Sequence, residues 1–465
     1  MPVSAAQQLV ALIAQAVKEL EGDVGTQIPG GTITDVNSPT VAAEDQLELT
    51  ATRRAALRNL QGATHQLLAT LMPAGLYGLQ MYSTCYYKAA IDIVLGAGIA
   101  DLIHSMDPDS SKGGVSVHVL AEKASMDPRK LTHILRFLAL RNIFCELSPG
   151  QWANTRHSVV LRTDAPNTLV NVLGHLRGQV TAPLLFELPK LLLDKQPDGA
   201  FSWDPQQSAF HKYYQPGCDF FQFLATSEDG HRAGRFGKAM FEMTHANVGT
   251  GPQVYKTFDW KKLGPKGTLV DVGGGEGAAA YDITTHLPEW EVVVQDRAEV
   301  VQQGKEASIP PYLRTDSMAS TANVEFEVID FFQDQPAHRA GAVDAYFLRH
   351  ILHDWPSKSC VEILSRLRCA AKPTTSLLIC ETILSAPVVE RDSPMLSNGG
   401  MASFGSHRGN LVMLTLFNAE ERTQKEFEEL FHQSGWLLQS VTPLATLSDY
   451  SILQALPDPS WMPHH

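Results

Sequence analysis

A short apolar run that ends on four glycines constrains the fold of this chain more than any other feature. In residues 268–277, TLVDVGGGEG, the apolar side chains of Leu269, Val270 and Val272 predict a buried strand of a parallel sheet. The glycines of the turn that follows are Gly273, Gly274, Gly275 and Gly277. Glycine lets a backbone approach a ligand closely and adopt φ values that other residues resist. Because open α/β sheets bind ligands outside the carboxyl ends of their strands, this turn predicts a binding site.

Two classes of nucleotide-type ligand fit the glycine turn. Gly273, Gly275 and Ala278 satisfy the G-x-G-x-x-[GA] spacing of dinucleotide-binding turns, so the glycines alone do not exclude a nicotinamide cofactor. Asp271 stands before the first glycine and extends the pattern to D-x-G-x-G-x-G. A carboxylate there would repel the phosphates of a dinucleotide, whereas it suits the cationic amino acid end of S-adenosylmethionine (SAM). Asp271 therefore favours SAM.

Strand-like and helix-like segments alternate from Val254 onward, which is typical of a parallel sheet with helices on both faces. The predicted strands are residues 268–272, 291–295, 324–329, 342–348 and 376–380. Near the C-terminus, segments 437–441 and 450–453 predict an antiparallel hairpin. An antiparallel edge on a parallel sheet favours a SAM-binding fold over a nicotinamide-binding one. The fold class predicted is therefore a Rossmann-like α/β domain with a mostly parallel sheet and an antiparallel last strand.

The N-terminal part is predicted to be helical. An amphipathic helix in residues 1–22 ends at Gly22, and a second ends before Pro73. Apolar stripes of this kind pack on a partner subunit or on their own chain, and the pattern does not decide between the two. Helical patterns at 86–103, 117–124 and 129–141 precede a short hairpin at 144–154, an arrangement typical of a winged helix. The predicted segments are a helical arm (1–75), a winged-helix domain (76–165), a helical connector with pocket residues (166–250) and a SAM-binding domain (251–465).

Charge and cysteine content exclude several classes of protein. A winged helix raises the possibility of a DNA-binding regulator, but a net charge of -13 opposes it, because phosphate contacts need a basic surface. No apolar run is long enough to predict a membrane span, and the N-terminus lacks the pattern of a secretory signal. The six cysteines are scattered and form no C-x-x-C pair. We therefore expect reduced thiols in a cytoplasmic protein, with no zinc site.

Acidic residues follow two further strands of the predicted sheet. Asp296 ends the second strand, where doubly wound folds place an acid for the ribose hydroxyls. Asp330 ends the third and is followed by Phe331, so that a carboxylate could accept from an adenine amino group while a ring stacks on the base. A single acid at a strand end often caps a helix instead. Asp271, Asp296 and Asp330, at the ends of three consecutive strands, together predict a cofactor site.

A histidine follows the fourth strand, in the segment R-H-I-L-H-D-W (349–355). His353 is a candidate general base, since an imidazole with a pKa of about 6.5 is available at cellular pH. Glu381 ends the fifth strand and Glu421 opens a later helix; a carboxylate bonded to Nδ1 would fix the tautomer of His353. A single histidine is more often structural, but the strand-end position favours function. No metal is expected, because the acids are assigned to cofactor and base.

Together these motifs resemble the plant-type small-molecule O-methyltransferase family, including its fungal members. The resemblance rests on D-V-G-G-G-x-G, the acid after V-V-V-Q, I-D-F-F, L-H-D-W-P, C-E-T-I-L and E-R-T-x-x-E-F, and it covers roughly residues 80–455. It implies SAM as methyl donor and a homodimer built on the winged-helix domain with interlocking N-terminal helices. It also implies that Arg349, where the family usually has lysine, binds SAM together with Gly273, Asp296, Asp330 and Phe331. Loops 308–323 and 386–408 match nothing in the family pattern.

The acceptor side of the site is less constrained. Aromatic residues and methionines are dense at 210–223 and 240–243, a composition typical of a core that also suits a pocket wall. From this segment we assign Phe220 and Met240 to the acceptor, with Asp354 beside the candidate base. The function predicted is methyl transfer to an acidic hydroxyl of a small secondary metabolite. The alternatives are a SAM-bound pericyclase on the same fold and, least favoured, a DNA-binding regulator.

Overall fold

The computed structural model describes residues 4–196, 199–226, 231–246, 252–306 and 324–462, which divide into two units. The first unit comprises residues 1–181, 221–250 and 388–401, and the second comprises 182–220, 251–387 and 402–465. The predicted loop at 308–323 lies outside the described residues. The predicted segment boundaries at 75, 165 and 250 stay a prediction.

Helices dominate the first unit. They are α1 (Ala5–Gln27), α2 (Ala51–Leu71), α3 (Ala74–Tyr82), α4 (Thr84–Gly96), α5 (Ile99–Met106), α6 (Val117–Lys123), α7 (Pro128–Ala139), α8 (Val170–His175), α11 (Phe220–Ala225, whose first residue belongs to the second unit) and α12 (His231–Ala246). Helix α1 runs through Gly22 and ends at Gln27, so the predicted end was wrong. Leu20 and Val24 are buried on either side of that glycine, and their packing outweighs the helix-weakening effect of roughly 1 kcal/mol.

A winged helix forms the centre of this unit. Short strands β1 (Val115–Ser116), β2 (Cys145–Ser148) and β3 (Gln151–Ala153) make an antiparallel sheet beside α6 and α7. The predicted single helix at 86–103 is two helices, because Gly98 adopts a left-handed φ of 61° between α4 and α5. Buried side chains such as Leu131, Leu135 and Trp152 close the core. The structure thus confirms the N-terminal helical domain.

Ion pairs attach the N-terminal arm to this domain. Helices α1 and α2 pack on each other, and the segment between them carries the buried carboxylate of Glu44. The guanidinium of Arg156 donates to Glu44 at 2.8 Å and to Asp45 at 2.6 Å. Charge-assisted hydrogen bonds therefore attach the arm to this domain.

An eight-stranded sheet organises the second unit. Its strands are β4 (Thr268–Val272), β5 (Glu291–Asp296), β6 (Val324–Val328), β7 (Ala345–Arg349), β8 (Ser376–Leu384), β9 (Arg422–Thr423), β10 (Trp436–Pro443) and β11 (Tyr450–Pro457). Its helices are α9 (Leu188–Leu193), α10 (Ala209–Tyr214), α13 (Ala278–Thr284), α14 (Ala298–Glu306), α15 (Ser357–Ala370), α16 (Phe404–Phe417) and α17 (Gln424–Ser434). The apolar faces of α15 and α17 pack against the sheet and complete the core.

Strand order explains where a ligand can bind. The order is β10-β11-β8-β7-β4-β5-β6, with β9 paired to the end of β8. Strands β4 to β8 are parallel, whereas β11 runs antiparallel to β8 and to β10, which confirms the predicted antiparallel edge. The chain winds outward from β4 to β6 in one direction and from β7 to β8 in the other. The carboxyl ends of β4 and β7 therefore border the crevice at which such sheets bind ligands.

Among the described residues, no single helix is long and apolar enough to cross a membrane, and only the pair 74–96 and 99–106, bent by 52°, meets the length and composition together.

Candidate active site

The glycine turn after β4 lies at the centre of the crevice. Gly273 has a φ of 70°, and a Cβ at this position would overlap Cδ1 of Ile351, so two loops approach each other closely here. Gly275 has a φ of 60°, and an added Cβ would meet no atom within 4 Å. Gly277 precedes α13 in the left-handed region as well. The turn therefore leaves open space beside a backbone that only glycine adopts easily.

A buried charge cluster lies beneath this turn. The carboxylate of Asp271 is 1% exposed, and its Oδ2 has no hydrogen-bond partner among the described residues. Asp282 on α13 is also buried, and its Oδ1 likewise has no hydrogen-bond partner among the residues that the structure describes. Burial raises the pKa of each carboxyl to about 7, although the positive charge of Arg349 opposes the shift. Arg349 itself donates to the hydroxyl of Tyr255 at 3.0 Å. Tyr255 thus orients a cation whose positive charge acts on both acids.

The acids after β5 and β6 occupy different environments. Oδ2 of Asp296 accepts from the backbone N–H of Gly275 at 2.9 Å, and Oδ1 accepts from that of Arg297 at 2.8 Å. Asp296 therefore braces the glycine turn as well as facing the crevice, and burial raises its pKa. Asp330 is exposed and accepts from the N–H of Phe332 at 3.0 Å. The ring of Phe331 is half-buried near Gly273.

His353 lies on a single 3₁₀ turn (Leu352–Asp354) after β7, with 13% of its side chain exposed. Its Nδ1 is 3.0 Å from Oε1 of Glu421 and 3.5 Å from Oε2 of Glu381. On the other side of the ring, Nε2 is 3.5 Å from Oδ1 of Asp354. Burial alone would disfavour the charged ring, but the three carboxylates outweigh it and hold the pKa of His353 well above its usual value. Burial raises the pKa of Asp354 to about 7.

The strongest contacts of Glu381 are with the backbone. Its Oε1 accepts from the N–H groups of Ile351 and Leu352, each at 2.9 Å. Burial raises the pKa of this carboxyl, against the positive charge of His353. Glu421 is therefore the ring partner of His353, whereas Glu381 mainly fixes the chain that carries it.

A second imidazole lies beside the first. His350 has a φ of 55°, which costs a non-glycine residue energy and is common near functional sites. Its ring stacks on His353 with centroids 5.2 Å apart and lies 4.8 Å from that of Tyr450. Burial and the charges of Arg349 and His353 hold the pKa of His350 well below its usual value. This environment therefore favours the neutral form of the His350 ring.

Two residues, Phe220 and Met240, were assigned to the acceptor pocket from the sequence alone. Phe220 is buried and packs edge-on against Phe210 and Phe417, each with centroids 5.1 Å away. Met240 is half-buried on α12 in the first unit. Their assignment to an acceptor pocket stays a prediction.

The structure also brings in residues that the sequence interpretation missed. Tyr255, Asp282 and His350 contact or flank predicted site residues. His350 stood inside the quoted R-H-I-L-H-D-W segment and could have been singled out. Tyr255 precedes the first strand of the sheet, where no motif marks it.

Comparison with known proteins identifies the class of enzyme that this sheet and crevice define. The family model of the O-methyltransferase domain matches residues 200–437. A 3-O-methyltransferase of Phanerochaete chrysosporium is 31% identical over 445 residues, which is 92% of each chain. The fold is also that of human N-acetylserotonin methyltransferase in complex with SAM (21% identity, TM-score 0.61, 83% of this chain and 99% of that one). An O-methyltransferase from neocarzinostatin biosynthesis, bound to S-adenosyl-L-homocysteine and 1,4-dihydroxy-2-naphthoic acid, shares the fold at 22% identity and a TM-score of 0.58, over 82% of this chain and 98% of that one.

The fold and crevice define a SAM-dependent methyltransferase. The chain belongs to the O-methyltransferase family, which confirms the resemblance stated from its motifs. SAM is therefore its cofactor. The crevice fits this molecule, because the open space at Gly275 admits a ligand and the unpartnered Oδ2 of Asp271 suits a cationic group.

Proposed function

We propose that this enzyme transfers the methyl group of SAM to an acidic hydroxyl of a small aromatic secondary metabolite, with His353 as general base. The observation that carries the proposal is the hydrogen bond of 3.0 Å between Nδ1 of His353 and Glu421. With Nδ1–H directed at a carboxylate, Nε2 is the nitrogen that takes the acceptor proton. The similarity to a 3-O-methyltransferase and to an enzyme that binds a dihydroxynaphthoic acid supports an aromatic hydroxyl as the acceptor.

Bound SAM would supply a methyl group made electrophilic by a positively charged sulfur. We propose that the residues which hold it are Asp271, Gly273, Gly275, Gly277, Asp296, Asp330, Phe331 and Arg349. The glycine turn admits the molecule, and the acids accept from its amino and hydroxyl groups. Phe331 offers a ring on which the adenine of SAM can stack. Holding both reactants in line supplies much of the rate.

Replacing Asp296 tests the cofactor side. Asp296→Asn should weaken SAM binding by roughly 1.5–3 kcal/mol, because charge-assisted hydrogen bonds to a ligand and to Gly275 are lost. Calorimetry with purified protein measures this. Asp344→Asn is the matched control, since its carboxylate also accepts a backbone N–H, from Thr268 at 2.9 Å, but at the opposite end of the sheet. Equal SAM affinity in the parent and in Asp296→Asn would reduce this acid to a structural brace.

On the acceptor side, the environment of His353 sets the proton chemistry. The ring is a base only after it has lost the proton on Nε2, and the surrounding carboxylates make that loss harder. The same carboxylates stabilise the imidazolium that forms once the acceptor hydroxyl gives up its proton. We assign Asp354 to the acceptor because its Oδ1 is 3.5 Å from Nε2, the nitrogen proposed to take the acceptor proton. The assignment of Phe220 and Met240 to the acceptor stays a prediction.

The spacing of this cluster also admits a metal ion. The candidate donor atoms of His353, Glu381 and Glu421 lie within 4.8 Å of one another. Oε2 of each carboxylate has no hydrogen-bond partner among the described residues. We nevertheless favour a general base over a metal ligand for His353, because its Nδ1 is already bonded to Oε1 of Glu421 and because Oε1 of Glu381 accepts from two backbone N–H groups. Dialysis against EDTA should leave activity unchanged, and a loss that Zn²⁺ or Mg²⁺ restores would reverse this choice.

The reaction itself is tested by incubation with methyl-labelled SAM and a panel of phenols that includes 1,4-dihydroxy-2-naphthoic acid. Label in the ether product of at least one phenol supports the proposal. Label in none, with an unsaturated substrate rearranged instead, would favour the pericyclase alternative.

We also propose that the enzyme is a cytoplasmic homodimer that uses an apolar surface on α3 and α4. All six cysteines are free thiols, as expected in a reducing compartment. Helix α3 has no buried residue, although it is largely apolar. The exposed side chains of this surface are Leu76, Leu79, Met81, Tyr82 and Tyr86, and Tyr82 is 82% exposed. Contiguous apolar surface of this kind marks protein interfaces.

Charge placed on that surface should separate the subunits. Leu79→Glu combined with Tyr82→Glu should shift the protein from dimer to monomer in light scattering, because two carboxylates in an apolar interface cannot both be solvated. Leu437→Glu, at an exposed apolar position on β10 of the second unit, is the control and should stay dimeric. A dimer that persists in the double variant would remove α3 from the interface.

A further inference from the structure

The turn that carries His353 cannot hold itself in place. Residues 351–355, here called the His353 turn, contain one 3₁₀ turn of three residues. So short a helix leaves most of its backbone N–H and C=O groups without partners inside the helix. The position of the imidazole therefore depends on groups from elsewhere in the chain.

Glu381 satisfies the N–H side of the His353 turn, through Ile351 and Leu352. On the C=O side, the thiol of Cys360 donates to the carbonyls of Leu352 at 3.2 Å and Trp355 at 3.3 Å. Arg422 makes shorter bonds to the same two carbonyls. Its Nη1 donates to the carbonyl of Leu352 at 2.8 Å, and its Nη2 donates to the carbonyl of Trp355 at 2.8 Å. These two carbonyls bracket His353 and Asp354. One rigid guanidinium therefore spans the segment that carries the candidate base.

The burial of the Arg422 guanidinium costs free energy unless its contacts compensate for it. The side chain is 1% exposed, and its nearest ion pair, with Glu420, is 3.8 Å long. A buried cation is expensive unless it is paired and hydrogen-bonded, and here its two shortest hydrogen bonds go to the backbone of this turn.

The connection to the imidazole is short. Arg422 directly follows Glu421, whose carboxylate accepts from Nδ1 of His353. Arg422 and Thr423 form β9, which pairs with Ile383 and Leu384, just beyond Glu381 on β8. The two carboxylates and the guanidinium are thus fixed to one pair of strands.

We propose that Arg422 is a positioning residue, which holds the His353 turn by its carbonyls so that the imidazole meets both Glu421 and the acceptor hydroxyl. This inference rests on the proposed role of His353. A shift of about 1 Å in a reacting group can lower a rate by roughly 10²-fold. Because Arg422 is 1% exposed and acts through the backbone of the His353 turn, its loss should act on turnover and not on SAM binding.

The chain offers a matched control for this test. Arg368 on α15 is half-buried and also donates to two backbone carbonyls, those of Gly435 at 2.8 Å and Asp458 at 2.7 Å. It makes the same kind of contact away from the His353 turn. Loss of stability without loss of turnover is therefore expected in Arg368→Met.

Kinetics with labelled SAM and 1,4-dihydroxy-2-naphthoic acid, or the first phenol that the parent methylates, give the first measurement. In Arg422→Met, kcat should fall by roughly 10²-fold, while the Kd for SAM from calorimetry stays within about twofold of the parent. Arg422→Lys, whose ammonium reaches one carbonyl, should have a kcat between those of the parent and of Arg422→Met. It takes the place of Arg422→Met in this test if that variant does not fold. In Arg422→Ala, millimolar guanidinium should restore part of kcat, whereas it should restore nothing in Arg368→Ala.

A second measurement reports position directly. The Nδ1 proton of His353 should give a downfield NMR signal, assigned by its absence in His353→Gln, that is lost in Arg422→Met and kept in Arg368→Met. Parental kcat in every soluble Arg422 variant would overturn the inference, as would equal losses of kcat in the Arg422 and Arg368 variants. Parental kcat in His353→Gln would instead overturn the general base, so the two failures are distinguishable.

Discussion

His353→Gln should lower methyl transfer to a neutral phenol by roughly 10²–10⁴-fold, the usual contribution of a general base. Glutamine can still accept a hydrogen bond but takes up no proton at any accessible pH. The Kd for SAM should change little, because none of the proposed cofactor residues depends on this ring. Initial rates with labelled SAM and calorimetry on the same preparation measure the two effects separately.

Alkaline pH should partly rescue this variant. A phenol with a pKa of about 10 ionises without help as the pH rises, so the ratio of parental to variant rate should shrink. His432→Gln, an exposed histidine on α17, is the control and should keep the parental rate. An undiminished rate in His353→Gln at neutral pH, with a phenol that is still protonated there, would exclude His353 as the base.

How far the fold could be predicted depends on which interactions determine each element. The strands from Thr268 onward were predictable, because short continuous apolar runs that end on glycines are typical of strands buried on both faces of a parallel sheet. The end of α1 was not, since Gly22 weakens a helix locally while the burial of Leu20 and Val24 stabilises it across the chain. Local signals identify elements well and place their ends poorly where tertiary packing opposes them.

The site shows the same division. That Asp271, Asp296 and His353 lie at one edge of the sheet was predictable, because each is at or near the carboxyl end of a parallel strand. Their roles in binding and catalysis stay a prediction. Which carboxylate bonds to the His353 ring could not be predicted, because Glu381 and Glu421 are far apart in sequence. Only the fold determines that Glu421 meets Nδ1. Tyr255 was beyond prediction for the same reason, since its contact with Arg349 spans 94 positions.

Glu421→Gln should change the pH dependence of the reaction as well as its rate. Three carboxylates hold the pKa of His353 above its ordinary value, so below that pKa the ring is charged and is not a base. In the parent, kcat/KM should therefore rise with pH and level off only well above 6.5. Without the charge of Glu421 the pKa of His353 falls, and the variant should reach its plateau at lower pH.

The plateau itself should be lower in this variant. Glutamine can accept from Nδ1–H and keep the tautomer, but the imidazolium formed in the transition state loses a charge-assisted hydrogen bond of roughly 1.5–3 kcal/mol. This corresponds to a loss of roughly 10- to 10²-fold. The two profiles should consequently converge toward acid pH and separate toward alkaline pH. Glu429→Gln, which removes an exposed charge from α17, should reproduce the parental profile. A Glu421→Gln profile with an unshifted midpoint would show that Glu421 does not set the charge of His353, even if the rate falls.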